Sequence, residues 1–477
     1  MAEENLKSQT KVGLYWKAIE MFSKYGINFV ISILMARMLD PHDYGVAALP
    51  ALFLTIMTIF TDSGFTPALI RKPDLNDSDI TTAFVYSLTI GSFCYVAIYA
   101  ASPYIAQFYN EPVLTPVLRF TALSCIITVF GMPVVVQLNR SLSFKAVSIA
   151  SVVGRLLGAF VGLYLAYIGL GVWSLVITSM LGVVITLTIN WFCMPWKPKA
   201  GVSKESFRYL WGYGNKLFLT EILTTIFDNV KPVIIGKYYS VRDLGIYNKA
   251  EGYAQLPSQS VFGIVHSLTF PVLSKMQDDD ERLRFNYRRM LRALAFLLFP
   301  MMMGLAALAR PFVLVLLSDK WEQCVPLLQI LCFSTMWLPI HSLNRNLLMV
   351  KGRSDYFFKL EMIKKVWELF MLLVSLPFGI IYFCAASIVV NVVNLFFNTY
   401  YTNKFLNLGF IQQMKDYYPF LLLAGGMALL VFGLTLVIPN MLVQLIVGIV
   451  VGVVFYIGTA YFMKMDVLND VKYLLHR

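Results

Sequence analysis

The chain has 477 residues, 58% of them apolar and only 14% charged, with a formal net charge of +12. Soluble proteins carry about 25% charged residues, and a bilayer core takes roughly 20 mostly apolar residues per spanning helix. The composition therefore excludes a soluble domain, and the basic excess, which falls between apolar segments, reads as membrane orientation and not as nucleic-acid binding.

The first predicted span covers 14–39, after a polar, acidic start (MAEENLKSQTK) unlike a cleavable signal peptide, so it is expected to stay attached. Lys17, Glu20, Lys24 and Asn28 recur on one helical face of it. Lys24 is too deep to snorkel and is a candidate cavity cation; Glu20 is a candidate for ion coupling. The second span, 44–65, brings Thr55, Thr58 and a second ion-coupling candidate, Asp62. Spans three to six follow at 82–107, 113–137, 146–168 and 171–193. Span five lines up Ser148, Ser151, Arg155, Gly158 and Gly162, with Arg155 near the bilayer centre, where a charge costs roughly 2.5–3.5 kcal/mol. Arg155 is the leading substrate-binding candidate, the alternative being a structural ion pair. The small residues beside it suit close helix packing or open cavity space.

Spans seven to ten fall at 209–236, 244–273, 290–317 and 325–350. Span seven holds Glu221, Asp228 and Lys231 ahead of Pro232, with Asp228 the third ion-coupling candidate unless Lys231 neutralises it at i, i+3. The DDDER run, Asp278 to Arg282, reads as a solvated cytoplasmic connection. Span eleven, 356–377, carries Glu361, Lys364, Lys365 and Glu368. The i, i+4 pairs Glu361–Lys365 and Lys364–Glu368 would neutralise themselves; otherwise Lys364 and Lys365 are cavity cations. Span twelve, 380–403, sets Ser387, Asn391, Asn394 and Asn398 on one face, as interhelical glue or as neutral partners for sugar hydroxyls. Spans thirteen and fourteen, 417–438 and 441–463, complete the series of about fourteen.

With the N-terminus inside, the inner connections collect Arg71, Lys72, Arg140, Lys145, Lys197 and Lys204, then Arg282 to Arg292, Lys351, Arg353 and Lys404. The outer connections have little beyond Arg37, Lys237, Arg242, Arg310 and Lys320, as the positive-inside rule requires for an even number of spans. A repeat also emerges. ARMLDPHDYG, ending at Gly45, matches GKYYSVRDLG, ending at Gly245; FTPALIRK matches LTFPVLSK; QLNRS matches SLNRN. All three keep an offset near 200, so two parallel six-helix units are expected, an N-lobe at 1–200 and a C-lobe at 201–404. A helix pair and cytoplasmic tail at 405–477 lie outside the repeat. The expected fold is thus an all-α integral membrane protein.

No GxxxxGK[ST], GxSxG or HExxH motif occurs, and the six cysteines form no CxxC pair. Neither an enzyme, nor a cofactor, nor a metal site is expected.

The segments ARMLDPHDYGVAAL, DSGFTPALIRK, VIIGKYYSVRDLGIYNKA, FPVLSKMQDD and SDKWEQCVPLLQIL, in this order and spacing, resemble the bacterial polysaccharide transporters. These are the Wzx-type O-antigen and exopolysaccharide flippases of the multidrug/oligosaccharidyl-lipid/polysaccharide exporter superfamily. The resemblance covers the whole chain. It implies two six-helix lobes, alternating access, an ion gradient as driving force, and a bacterial inner-membrane location with both termini cytoplasmic. The implied cargo is a polyprenyl-pyrophosphate-linked oligosaccharide for lipopolysaccharide or exopolysaccharide synthesis. Implied partners are membrane lipids and other polysaccharide assembly proteins. Two readings compete: a drug or peptidoglycan-precursor exporter of the same superfamily, and a membrane glycan polymerase. A polymerase usually presents a sizeable periplasmic loop, whereas the longest polar stretches here, 194–208 and 275–289, are predicted cytoplasmic.

Overall fold

The computed structural model describes residues 16, 23, 26–141, 143–198 and 200–468, and all regular structure among them is helical. The first half of the chain forms α1 (Gly26–Met38), α2 (Pro41–Ala48), α3 (Pro50–Asp62), α4 (Phe65–Arg71) and α5 (Asp77–Tyr109). It continues through α6 (Leu114–Arg140), α7 (Phe144–Tyr167), α8 (Val172–Cys193) and α9 (Lys204–Ile234). A π-turn at Ile235–Tyr239 leads into α10 (Val241–Ser274). The second half forms α11 (Asp280–Ala307), α12 (Ala309–Leu316), α13 (Cys324–Thr335) and α14 (Leu338–Val350). It ends with α15 (Ser354–Ser375), α16 (Ile380–Leu406), α17 (Phe410–Val437) and α18 (Met441–Phe462).

Ten of these segments are long and apolar enough to cross a membrane, counting α2–α3 and α13–α14 each as one. α9, α10 and α15 are as long but carry the charges noted above. The chain is a multi-pass membrane protein. Proline explains one split: Pro50 at the first position opens α3 directly after α2, where its missing N–H costs nothing. A left-handed turn at Ser63 (φ 46°) and Gly64 (φ 73°) then separates α3 from α4.

The ninth span is displaced from its expected position. The helix begins at Asp280, not near 290, and a separate α12 follows a break at Leu308. The cause lies in the DDDER run, which is exposed as a solvated connection would be but also holds the helix start. Asp279 caps α11 by accepting from Arg282 N at 3.0 Å, and Asp280 and Glu281 occupy the first turn, where carboxylates favour the helix dipole. Leu283, Tyr287, Leu291 and Leu294 then bury one face.

The chain divides into two compact units, Met1–Gly245 and Ile246–Arg477. In the first, α5 pairs with α6, α7 with α8, and α3 packs on α5, α6 and α9. Fully buried Phe65 anchors a knot of rings with Tyr86, Phe207 and Trp211. In the second, α11 packs on α17, α17 on α18, and α16 lies against α13, α14 and α15. The sequence repeat puts its own boundary at 200; the two divisions differ by α9, which packs on α3, α4 and α5.

Candidate functional site

A group of buried charge and amide side chains in the second unit lies on α14, α15 and α16. On α15, Lys364 Nζ donates to Glu361 Oε1 at 2.7 Å, and Lys365 Nζ stands 3.7 Å from Glu368. Both pairs are i, i+3, not the i, i+4 pairs expected from the sequence. Helix neighbours three and four apart are equally close, so a third partner decides. Arg345 on α14 places Nη1 3.8 Å from the same Glu361 Oε1. Two cations thus share one carboxylate oxygen, and Lys364, 8% exposed, is buried among apolar helices. Burying a charge without a partner is costly, which makes Glu361 indispensable to Lys364.

The amide row on α16 faces α13 and α14. Asn391 Nδ2 donates to Ser334 Oγ at 2.8 Å, and Asn398 Nδ2 lies 2.9 Å from His341 Nδ1. Both rungs join residues 57 apart in sequence, so the helices run parallel in fixed register. These two amides bind helices together, as interhelical glue. The row is incompletely paired, however: Asn394 Oδ1, Asn398 Oδ1, His341 Nε2 and Trp367 Nε1 are sealed from solvent without a hydrogen-bond partner. Buried polar atoms are nearly always satisfied, so these four stand out from the rest of the seam.

Toward the ends of these helices the seam continues fully satisfied. Tyr287 donates to Asn344 Oδ1, Gln413 Nε2 donates to Asn344 Oδ1 at 3.1 Å and Thr402 Oγ1 at 2.9 Å, and Tyr417 donates to Gln413 Oε1 at 2.9 Å. Arg288 grips Asp416 with two nitrogens beside this network.

In the first unit, Arg155 Nε reaches Ser151 Oγ at 3.4 Å on its own helix, and no carboxylate among the described residues pairs with it. The small residues around it serve close packing. A methyl on Gly158 would sit 2.7 Å from Thr178 O, and one on Gly154 2.7 Å from Gly182 O, so α7 and α8 touch backbone to backbone. Asp62 accepts from both the backbone N–H and the hydroxyl of Thr66, which fixes the start of α4. Asp228 sits on an exposed part of α9 ahead of Pro232. Glu20 and Lys24 lie outside the described residues.

The structure therefore joins Lys364 to Glu361 and Arg345, ties Asn391 and Asn398 to α13 and α14, and pairs Lys365 separately along α15. Arg345, His341 and Trp367 were not singled out as site residues from sequence. One signal for His341 was present: Ser334 and His341 are seven apart, as are Asn391 and Asn398, the spacing of two helices meeting on a common seam.

Comparison with known proteins fits this architecture. A family model described as polysaccharide biosynthesis protein matches residues 34–326. The lipopolysaccharide biosynthesis protein WzxC of Escherichia coli is 24% identical over 366 residues, 76% of this chain and 74% of its own. The succinoglycan biosynthesis transport protein ExoT of Rhizobium meliloti is 26% identical over 330 residues, 69% of this chain and 67% of its own. Among solved structures, the lipid II flippase MurJ in an inward closed conformation shares the fold, with a TM-score of 0.76. It is 16% identical, and the match covers 95% of this chain and 100% of that one.

Proposed function

Since the family model spans more than half of its length, the chain belongs to the polysaccharide biosynthesis protein family, and from that membership we propose that it flips a lipid-linked oligosaccharide. The cargo in this reading is a repeat unit carried on a polyprenyl diphosphate, moved from the cytoplasmic to the periplasmic leaflet by alternating access between two lobes. The membrane is the bacterial inner membrane, with both chain ends cytoplasmic.

The observation that carries the proposal is the group on α14 to α16, where two cations face one carboxylate beside a row of partly unpartnered amides. Arg345 and Lys364 suit a diphosphate, because charge-assisted hydrogen bonds to phosphate are the strong ones. The unpartnered oxygens of Asn394 and Asn398 suit sugar hydroxyls, which bring neutral donors. The prenyl chain stays among lipid tails. In the first unit, Arg155, with no acid beside it among the described residues, and Lys24 are the candidate cations for an anionic cargo. For coupling to an ion gradient we propose Glu20, Asp62 and Asp228, the acids that the sequence places on spans one, two and seven.

The test is the pool of cargo. Deleting the gene is expected to leave lipid-linked oligosaccharide in the cytoplasmic leaflet, with surface polysaccharide lost. An unchanged pool overturns the proposal, and is the result that an exporter of drugs or of a peptidoglycan precursor would give.

A further inference from the structure

Glu361 has an unusual position for a charge that only needs neutralising. Its Oε1 stands 2.7 Å from Lys364 Nζ and 3.8 Å from Arg345 Nη1, one oxygen between two cations on different helices. A diphosphate would seek that same place, and one carboxylate brings less charge and fewer oxygens than the two cations can bind.

A third group points the same way. The Asn398 amide nitrogen can only donate, so His341 Nδ1 accepts from it and the imidazole carries its proton on Nε2. That Nε2–H belongs to a residue 5% exposed, is sealed from solvent and makes no close hydrogen bond, with Asn391 its weaker acceptor. Arg345 follows His341 by one turn on α14, and it shares Glu361 with Lys364. Trp367, one turn beyond Lys364 on α15, holds a second sealed and unanswered N–H.

We propose that Arg345, Lys364 and His341 form an anion site for the diphosphate of the lipid carrier, and that Glu361 occupies it as an internal stand-in while no cargo is bound. This rests on the flippase reading and adds to it a reason for release. A buried lysine needs a counter-charge at all times, since an isolated buried ammonium is strongly disfavoured. With Glu361 present, cargo exchanges against the carboxylate instead of entering a bare cationic site. Binding is then weak enough to reverse on the far side of the membrane. Glu361 sets the balance between capture and release.

The experiment uses the full-length protein in lipid nanodiscs, with inorganic pyrophosphate as the probe and titration calorimetry as the readout. Glu361→Gln is expected to tighten pyrophosphate binding at least about tenfold, the scale of one charge-assisted hydrogen bond. Lys364→Gln and Arg345→Gln are expected to weaken it by a similar factor. Farnesyl diphosphate is expected to compete; failure to compete overturns the assignment to the lipid carrier. In reconstituted flipping, Glu361→Gln is expected to lower KM and kcat together, because release becomes slow. Where Glu361→Gln fails to insert, Glu361→Asp, which withdraws the carboxylate by one methylene, is expected to tighten binding by a smaller factor. Unchanged or weaker binding in the acid variants overturns the inference. If binding responds as expected while no lipid-linked glycan is moved, the anion site stands and the flippase reading falls; flipping without that response has the opposite meaning.

Discussion

Gly45 and Gly245 meet in one reciprocal contact. A methyl on Gly45 would lie 1.8 Å from Val241 O, and a methyl on Gly245 1.9 Å from Pro41 O. Pro41 and Val241 are equivalent in the sequence repeat, as are the two glycines, so the two copies of the motif pack on each other through matching atoms. Asp40 and Arg242 clasp the same junction at 2.7 Å. Backbone on the facing side cannot yield as a side chain would. Gly45→Ala and Gly245→Ala are each expected to cost about 1–3 kcal/mol, the range for overpacking a close contact. Thermal unfolding of the purified protein checks this; an unchanged midpoint in both would contradict it.

Arg155 and Gly158 are neighbours on α7 with opposite expected effects. Arg155→Ala is expected to reduce transport at least about tenfold while expression and membrane insertion persist, since its hydrogen bond to Ser151 holds no second helix. Gly158→Ala is expected to lower the amount of folded protein, because Thr178 O blocks the added methyl. Parallel assays of insertion and of glycan flipping separate the two, and normal transport in Arg155→Ala removes that residue from the cargo path.

Gln413 is fully buried and joins Asn344, Thr402, Leu408 O and Tyr417. Gln413→Met keeps the length of the side chain and strands these partners. We expect a loss of about 2 kcal/mol, at the upper end for hydrogen bonds inside membrane proteins, against about 0.6 kcal/mol for Tyr287→Phe. A double-mutant cycle is expected to show coupling, because both side chains meet at Asn344.

The start of α15, at the edge of the membrane span, is insensitive to ordinary changes of pH. Arg353 holds Asp355 through two hydrogen bonds, at 3.0 and 2.9 Å, and pushes its carboxyl down to about 2 from the usual 3.8. A lowered acid contributes its stability above the unfolded value and loses it as pH falls through the folded one. Between pH 8 and 5 the pair stays ionised, and it opens only between about pH 4 and 2. Hydrogen exchange at the start of α15, followed across pH, is the check: loss of protection at pH 6 would refute it.

Much of this architecture is legible in the sequence because bilayer thickness imposes one length on every span, and apolar runs of that length announce themselves. What fails is instructive. The start of α11 is hidden because Asp279, Asp280 and Glu281 look like loop residues by composition, although carboxylates at a helix start are stabilising. The pairing on α15 is hidden because Arg345, on another helix, settles which way Glu361 turns. The role of Asn391 and Asn398 depends on Ser334 and His341, partners 57 residues away that no local pattern reveals.

The two rungs between α13–α14 and α16 behave as a vernier. Each is set by the same offset, and the next alignment along the pair lies seven residues away, about 10 Å of helix. Any smaller slide breaks Ser334–Asn391 and His341–Asn398 together and leaves their polar atoms in an apolar interior. These helices are therefore expected to travel as one strut when the protein changes conformation. The bending that transport requires has to be found elsewhere, at junctions such as Ser63–Gly64 where the chain already turns sharply.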